Sequence, residues 1–180
     1  MRITTTLVFS SVLLFTASGG SLLGQTPSAS DREQSCRKFV QTFYDWYVSQ
    51  EGRPSDIVRR YKPFAFSAEL SRRLREDAEF KDKDKTGDLV GLDFDPFVGG
   101  QDTCEPYSYR KVTLTGSKCW VEVYGSACEK RTGPDVVPEL VLMKGRWVFV
   151  NFHYPRNGKN GNLLRDLKSL RKDRKAQPAK

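Results

Sequence analysis

The sequence predicts an α+β domain in which N-terminal helices pack on a bent antiparallel sheet of about four strands, followed by a short C-terminal helix. Three observations carry this expectation. Between Cys104 and Tyr154, the blocks Val112–Leu114, Cys119–Tyr124, Leu140–Met143 and Trp147–Phe152 are rich in Val, Leu, Trp, Phe and Tyr, which suit a pleated, half-buried surface. Lys144-Gly145 is a two-residue connection whose Gly supplies positive φ, so Leu142 is expected opposite Trp147 and Leu140 opposite Phe149. Upstream of the strands, apolar residues recur at the three-and-four spacing of helices.

The first hairpin turns around Gly116. A turn centred there pairs Val112 with Trp120 and Arg110 with Glu122, and the same register carried outward brings Cys104 opposite Cys128. That leaves Cys36 for Cys119, which would staple the first helix to the second strand. Two disulfides in an even set of four cysteines fit an oxidising compartment. The spacings lack a C-x-x-C pair and the only histidine is His153, so no metal site and no cofactor is expected.

Export is read from the N-terminus. Arg2 precedes the apolar run Leu7 to Phe15, and small residues follow from Ala17 to Ser21, the order of a secretory signal and too short for a membrane span. The signal is assigned to residues 1–24, with cleavage expected between Gly20 and Ala29, and residues 25–31 are a polar lead. The mature chain is one domain, 32–170, with no transmembrane segment expected in it and a basic disordered tail at 171–180. Residues 156 to 180 hold nine Lys or Arg against two Asp, so most of the net charge of +8 belongs to the tail.

Along the chain, Cys36, Phe39, Val40, Phe43, Tyr44 and Tyr47 form one face of a helix expected over Arg32 to Ser49, stopped by Gly52-Arg53-Pro54. Ser55 to Tyr61 reads as a short second helix ended by Pro63. Ser67 is the expected N-cap of a third helix reaching Phe80, with Leu70, Leu74 and Ala78 inward. Lys81 to Lys85 alternates in sign and is expected as a solvated loop. Leu163, Leu164, Leu167 and Leu170 mark the last helix, with fraying expected from Arg171.

The stretch Leu92-Asp93-Phe94-Asp95-Pro96-Phe97 to Asp102 cannot continue a helix, because Pro96 bars Asp95 from helical geometry. It is expected as a shaped loop whose Asp residues accept backbone N–H groups. The candidate ligand-binding residues are Tyr44, Tyr47, Asp93, Asp95, Gln101, Asp102 and His153. No residue is assigned as catalytic.

Phe43-Tyr44-x-Trp46-Tyr47, Leu92-Asp93-x-Asp95-Pro96-Phe97, Gln101-Asp102 and Gly145-x-Trp147-x-Phe149-x-Asn151-x-x-Tyr154 occur in that order. Together they resemble a bacterial family of exported domains of unknown function with the nuclear-transport-factor-two-like, or cystatin-like, fold. The resemblance implies a cone, with helices closing against the concave sheet and a pocket at the wide end. It implies no chemistry, and fold does not fix function. The expected function is an exported binding or interaction module for a protein or small-molecule ligand, monomeric or homodimeric. Two alternatives stand beside it: an acid–base enzyme, isomerase- or dehydratase-like, using Asp93 or Asp95, and a binder of anionic surfaces or nucleic acid through the basic tail. Of these partners nucleic acid is the less expected, since export and a fraying tail favour a merely solvated basic face.

Overall fold

Four antiparallel strands lie side by side in chain order: β1 Tyr107–Thr115, β2 Lys118–Gly125, β3 Val137–Met143 and β4 Arg146–His153. Helices α1 Ala29–Tyr47, α2 Pro54–Arg60 and α3 Ala68–Lys83 precede them, and α4 Leu163–Ala176 follows. The computed structural model describes residues 27–63, 65–85, 90–127, 132–155 and 161–176. The expected signal segment therefore lies outside the described residues, and so does Cys128 with its expected bond to Cys104. Among the described residues, no helix is long and apolar enough to cross a membrane.

The second hairpin has the expected register. Leu142 pairs with Trp147 and Leu140 with Phe149, and Lys144 (φ 50°) and Gly145 (φ 75°) supply the two left-handed residues of the turn. The first hairpin differs. Thr115 pairs with Lys118 across a two-residue turn, so Val112 meets Val121 and Thr113 meets Trp120. A bulge between Tyr109 and Val112 then shifts the pairing by one residue, and Tyr109 meets Val123 as the sequence register had it. The expected pairs Val112–Trp120 and Arg110–Glu122 are thus replaced, while the outer register toward Cys104 is restored. A second bulge falls between Glu139 and Leu140. Bulges add local twist and bend the strand that carries them, which curves the sheet around its buried face.

That buried face is aromatic and filled. Phe43 of α1 sits among Phe66, Phe97 and Phe149 at centroid separations of 5.7, 5.6 and 5.0 Å, and Phe149 stacks on Phe152 at 5.4 Å. α1 is bonded to the sheet through the Cys36–Cys119 disulfide, as expected, and through Trp147 Nε1, which donates to Ser35 Oγ at 3.0 Å. The free edge of β4 is partly covered, because Phe149 N donates to Ala65 O and Ser67 N donates to Phe149 O, each at 2.8 Å.

Three helix ends depart from expectation, each because a polar side chain finds a partner. α1 begins at Ala29, inside the stretch read as a lead, since Ser28 and Asp31 form a reciprocal capping box. α3 does begin after an N-cap at Ser67, but it runs to Lys83 rather than Phe80, and Asp82 meets Arg53 at 2.6 Å. α4 continues to Ala176, six residues into the expected disordered tail. There Arg174 reaches the buried Asp77 on α3 and lies 4.1 Å from the Phe80 ring, while Arg171 approaches Glu76 at 3.7 Å.

Candidate functional site

The loop from Leu92 to Gly100 is the structural hub of the site. Asp95 N donates to Gly100 O at 2.7 Å and Gly99 N donates to Asp95 O at 2.9 Å, with Gly99 at φ 70°. A Cβ at Gly99 would stand 2.7 Å from the Asp135 carbonyl oxygen, so only glycine fits this turn. Phe97 plugs into the core at 0 % exposure, and two tyrosine hydroxyls clamp the loop backbone: Tyr44 donates to Phe97 O at 2.6 Å and Tyr154 to Pro96 O at 2.9 Å. Asp95 Oδ1 accepts from Phe97 N at 2.9 Å, the local backbone bond expected of an aspartate before proline.

The other carboxylate oxygen turns to a cavity. Asp95 Oδ2 accepts a short hydrogen bond from the Tyr47 hydroxyl. Both residues line a cavity of about 470 Å³ together with Leu74, Asp77, Ala78 and Lys81 of α3, Gly52 to Ser55 before and at the start of α2, and Leu92, Asp93, Phe94 and Gln101 of the loop. Its volume lies in the range of ligand pockets, roughly 300–1,000 Å³. Burial pushes the Asp95 carboxyl above its ordinary pKa, against the opposing hydrogen bonds from Tyr47 and the Phe97 backbone. Burial, and then the nearby Asp95 charge, pushes the Tyr47 phenol well above its own.

One wall of the cavity is a polar brace. Asp77, 6 % exposed, accepts from Leu92 N at 3.3 Å and pairs with Arg174, while the Lys81 ammonium donates to Leu92 O. Arg53 is held by Asp56 at 3.1 Å and Asp82 at 2.6 Å. Asp77 and Arg53 of this wall are therefore held in ion pairs, and Lys81 is held by a backbone carbonyl. Asp93 and Gln101 are exposed at the rim.

Of the seven candidates read from sequence, Tyr47, Asp93, Asp95 and Gln101 come together around this cavity. Tyr44 does not. It is fully buried and packs on Tyr107 and Tyr109 while bracing the loop from beneath. Asp102 lines a separate small cavity of about 80 Å³ with Asp135 and Tyr107. His153 lies on the sheet, where its Nε2 is 2.9 Å from Glu139 Oε2, and Lys118 Nζ is 2.9 Å from the other oxygen. Burial raises the Glu139 carboxyl, but hydrogen bonds from Lys118 and His153 outweigh it and leave the pKa below the ordinary value.

Sequence reasoning missed the helical wall: Arg53, Leu74, Asp77 and Lys81. A signal existed, since Leu70, Leu74, Asp77, Ala78 and Lys81 share one helical stripe and a carboxylate within an apolar stripe must find a partner. Among the described residues no strand residue lines the cavity, so it is bounded by helices and the loop rather than by the concave sheet, which the aromatic core fills. Among the described residues no group of three or more His, Cys, Asp or Glu is gathered for a metal ion.

Fold and cavity define an α+β domain with a curved antiparallel sheet and a loop-and-helix pocket that closes on a Tyr–Asp pair. Family models, curated proteins and solved structures contain no match to this chain.

Proposed function

We propose that the chain is an exported binding module of the nuclear-transport-factor-two-like kind that seats a small molecule in the cavity above Tyr47 and Asp95. The observation that carries this reading is the composition of that cavity. Leu74, Ala78, Leu92 and Phe94 offer apolar wall, while Asp93, Asp95 and Gln101 offer acceptors at the floor and rim. Such a lining suits a small, largely apolar ligand that bears a hydrogen-bond donor. The order of three helices followed by a bent four-stranded sheet supports the fold assignment, and the Cys36–Cys119 bond agrees with an oxidising compartment.

Acid–base catalysis is the second reading, favoured by the direct Tyr47–Asp95 hydrogen bond and the raised Asp95 pKa. Against it, one Asp95 oxygen is committed to Phe97 N and the other to Tyr47, which suits a structural and binding carboxylate better than a free base.

Screening a fragment library by two-dimensional NMR tests the proposal. Ligands are expected to shift the resonances of Leu92, Phe94 and Ala78 and to lose affinity about tenfold in Asp93→Asn, the size of one charge-assisted hydrogen bond. Ala78→Leu, which adds carbons inside the cavity, should abolish binding while the protein still melts cooperatively. A library whose hits leave those resonances unmoved overturns the reading. Turnover of a hit by the wild type, lost in Asp95→Asn with the fold retained, would replace it by the enzyme.

A further inference from the structure

The cavity above Tyr47 and Asp95 has two electrical halves. On the helical side the charges already have partners: Arg53 is held by Asp56 and Asp82, the Lys81 ammonium donates to Leu92 O, and Asp77 is paired with Arg174. The loop side has no such compensation. Asp93 stands exposed at the rim and forms neither an ion pair nor a side-chain hydrogen bond with the described residues. Asp95 accepts from the Tyr47 hydroxyl and from Phe97 N, and no Lys or Arg of the described residues pairs with it. Cations are not scarce in this chain, which holds 30 Lys and Arg against 22 Asp and Glu, yet the loop keeps these two carboxylates apart from them. Burial accordingly raises the Asp95 carboxyl with hydrogen bonds alone to oppose it.

We propose, resting on the small-molecule reading above, that the ligand of this cavity is an organic ammonium ion, a primary amine whose head meets Asp93 and Asp95 and whose apolar body lies against Leu74, Ala78 and Leu92. A primary ammonium brings three N–H donors. Asp93, the second lone pair of Asp95 Oδ2 and the Gln101 side-chain carbonyl are acceptors on the loop that line the same cavity. A hydroxyl could make such hydrogen bonds but would leave both carboxylates without a counter-charge. An anionic ligand would face the two carboxylates and would compete with Asp56 and Asp82 for Arg53 and with Leu92 O for Lys81. An inorganic cation would leave the apolar wall unused, and the described residues gather no group of three ligating side chains to hold one.

Three probes on one frame, phenylpropylamine, phenylpropanol and phenylpropanoate, separate charge from shape when each is titrated into the full chain and followed by two-dimensional NMR. The amine is expected to shift the resonances of Leu92, Phe94 and Ala78 and to bind at least about tenfold more tightly than the alcohol, with the carboxylate weakest. Asp93→Asn should cut the preference for amine over alcohol to about threefold or less, and Asp93→Glu should keep most of it. Rising salt should erode it as well, because Asp93 is exposed. Glu33→Gln removes an exposed carboxylate on α1 that does not line the cavity, and it should leave the preference unchanged. If the alcohol or the carboxylate moves the same resonances as tightly as the amine does, the ammonium inference is overturned while the cavity remains a binding site. Equal erosion of the preference by Asp93→Asn and Glu33→Gln overturns it too, since general attraction to the protein would then explain the binding. Silence of all three probes at those resonances at millimolar concentration also overturns it; the binding reading itself falls only if the fragment library leaves them unmoved as well.

Discussion

Removing the Cys36–Cys119 disulfide by substituting both residues with alanine should be the most damaging two-atom change available in this chain. The two cysteines are separated by 83 residues, and closing a loop of that size restricts the unfolded chain by about 4.5 kcal/mol at 25 °C. Both cysteines are fully buried between α1 and β2, so alanine also leaves unfilled space. At roughly 2–4 °C per kcal/mol for a domain of this size, the melting temperature should fall by about 9–18 °C. Urea unfolding of the wild type and of Cys36→Ala/Cys119→Ala measures the loss directly. The denaturant slope should rise as well, because an unfolded chain freed of the cross-link exposes more surface. Mutation is preferable to reduction, since Cys104 is also disulfide-bonded and a reductant would act on both bridges. A loss below about 1 kcal/mol with an unchanged slope would refute the argument, because it would mean that the unfolded state keeps α1 beside β2 without the bond.

Two other predictions follow from partners that the folded chain supplies. Arg174→Ala should destabilise by about 3 kcal/mol, since it leaves the Asp77 carboxylate, 6 % exposed, without its cation; Arg174→Met/Asp77→Asn should recover much of that loss in a double-mutant cycle read by urea unfolding. Glu139 has a folded pKa below its ordinary 4.5, so its contribution to stability is fully present above that pH and is lost as the pH falls through the folded value. The stability gap between wild type and Glu139→Gln should therefore close on acidification, and a gap that stays constant from about pH 7 to pH 3 would show that Lys118 and His153 do not hold the carboxylate.

The sheet was legible because its signals are local. Lys144-Gly145 determines a two-residue turn, and once the turn is known the pairs Leu142–Trp147 and Leu140–Phe149 follow by counting. In the first hairpin, counting from a turn centred on Gly116 misplaced the near pairs, because the turn is two residues and the bulge after Tyr109 takes up the difference. A bulge leaves no reliable mark in a strand whose two faces both carry polar residues, as Arg110 and Lys111 do here. The Cys36–Cys119 pair was legible by elimination, since it needed only α1 to lie across β2.

The ends of α3 and α4 were misread for one common reason: propensity and composition do not know which charge has a distant partner, whereas the start of α1 rests on a local capping box, Ser28 with Asp31. Arg171 to Ala176 look like a frayed basic tail until Asp77 is seen on the inner stripe of α3, where a lone carboxylate must be neutralised by something. The same carboxylate ties the candidate site together. Through Oδ2 it holds Leu92 N at the start of the loop, and through Oδ1 it holds Arg174 at the end of the chain. The loop it anchors carries Asp95 onto Tyr47. Sequence identified Asp93, Asp95 and Tyr47 because an aspartate before proline and an aromatic helix face are unusual in themselves. It could not join them to Asp77 and Lys81, because the connection is made by the chain reversal between α3 and Leu92 and not by any spacing along it. A residue that organises a pocket from behind is therefore best sought as the charged exception within an apolar stripe, and Asp77 is that exception in this chain.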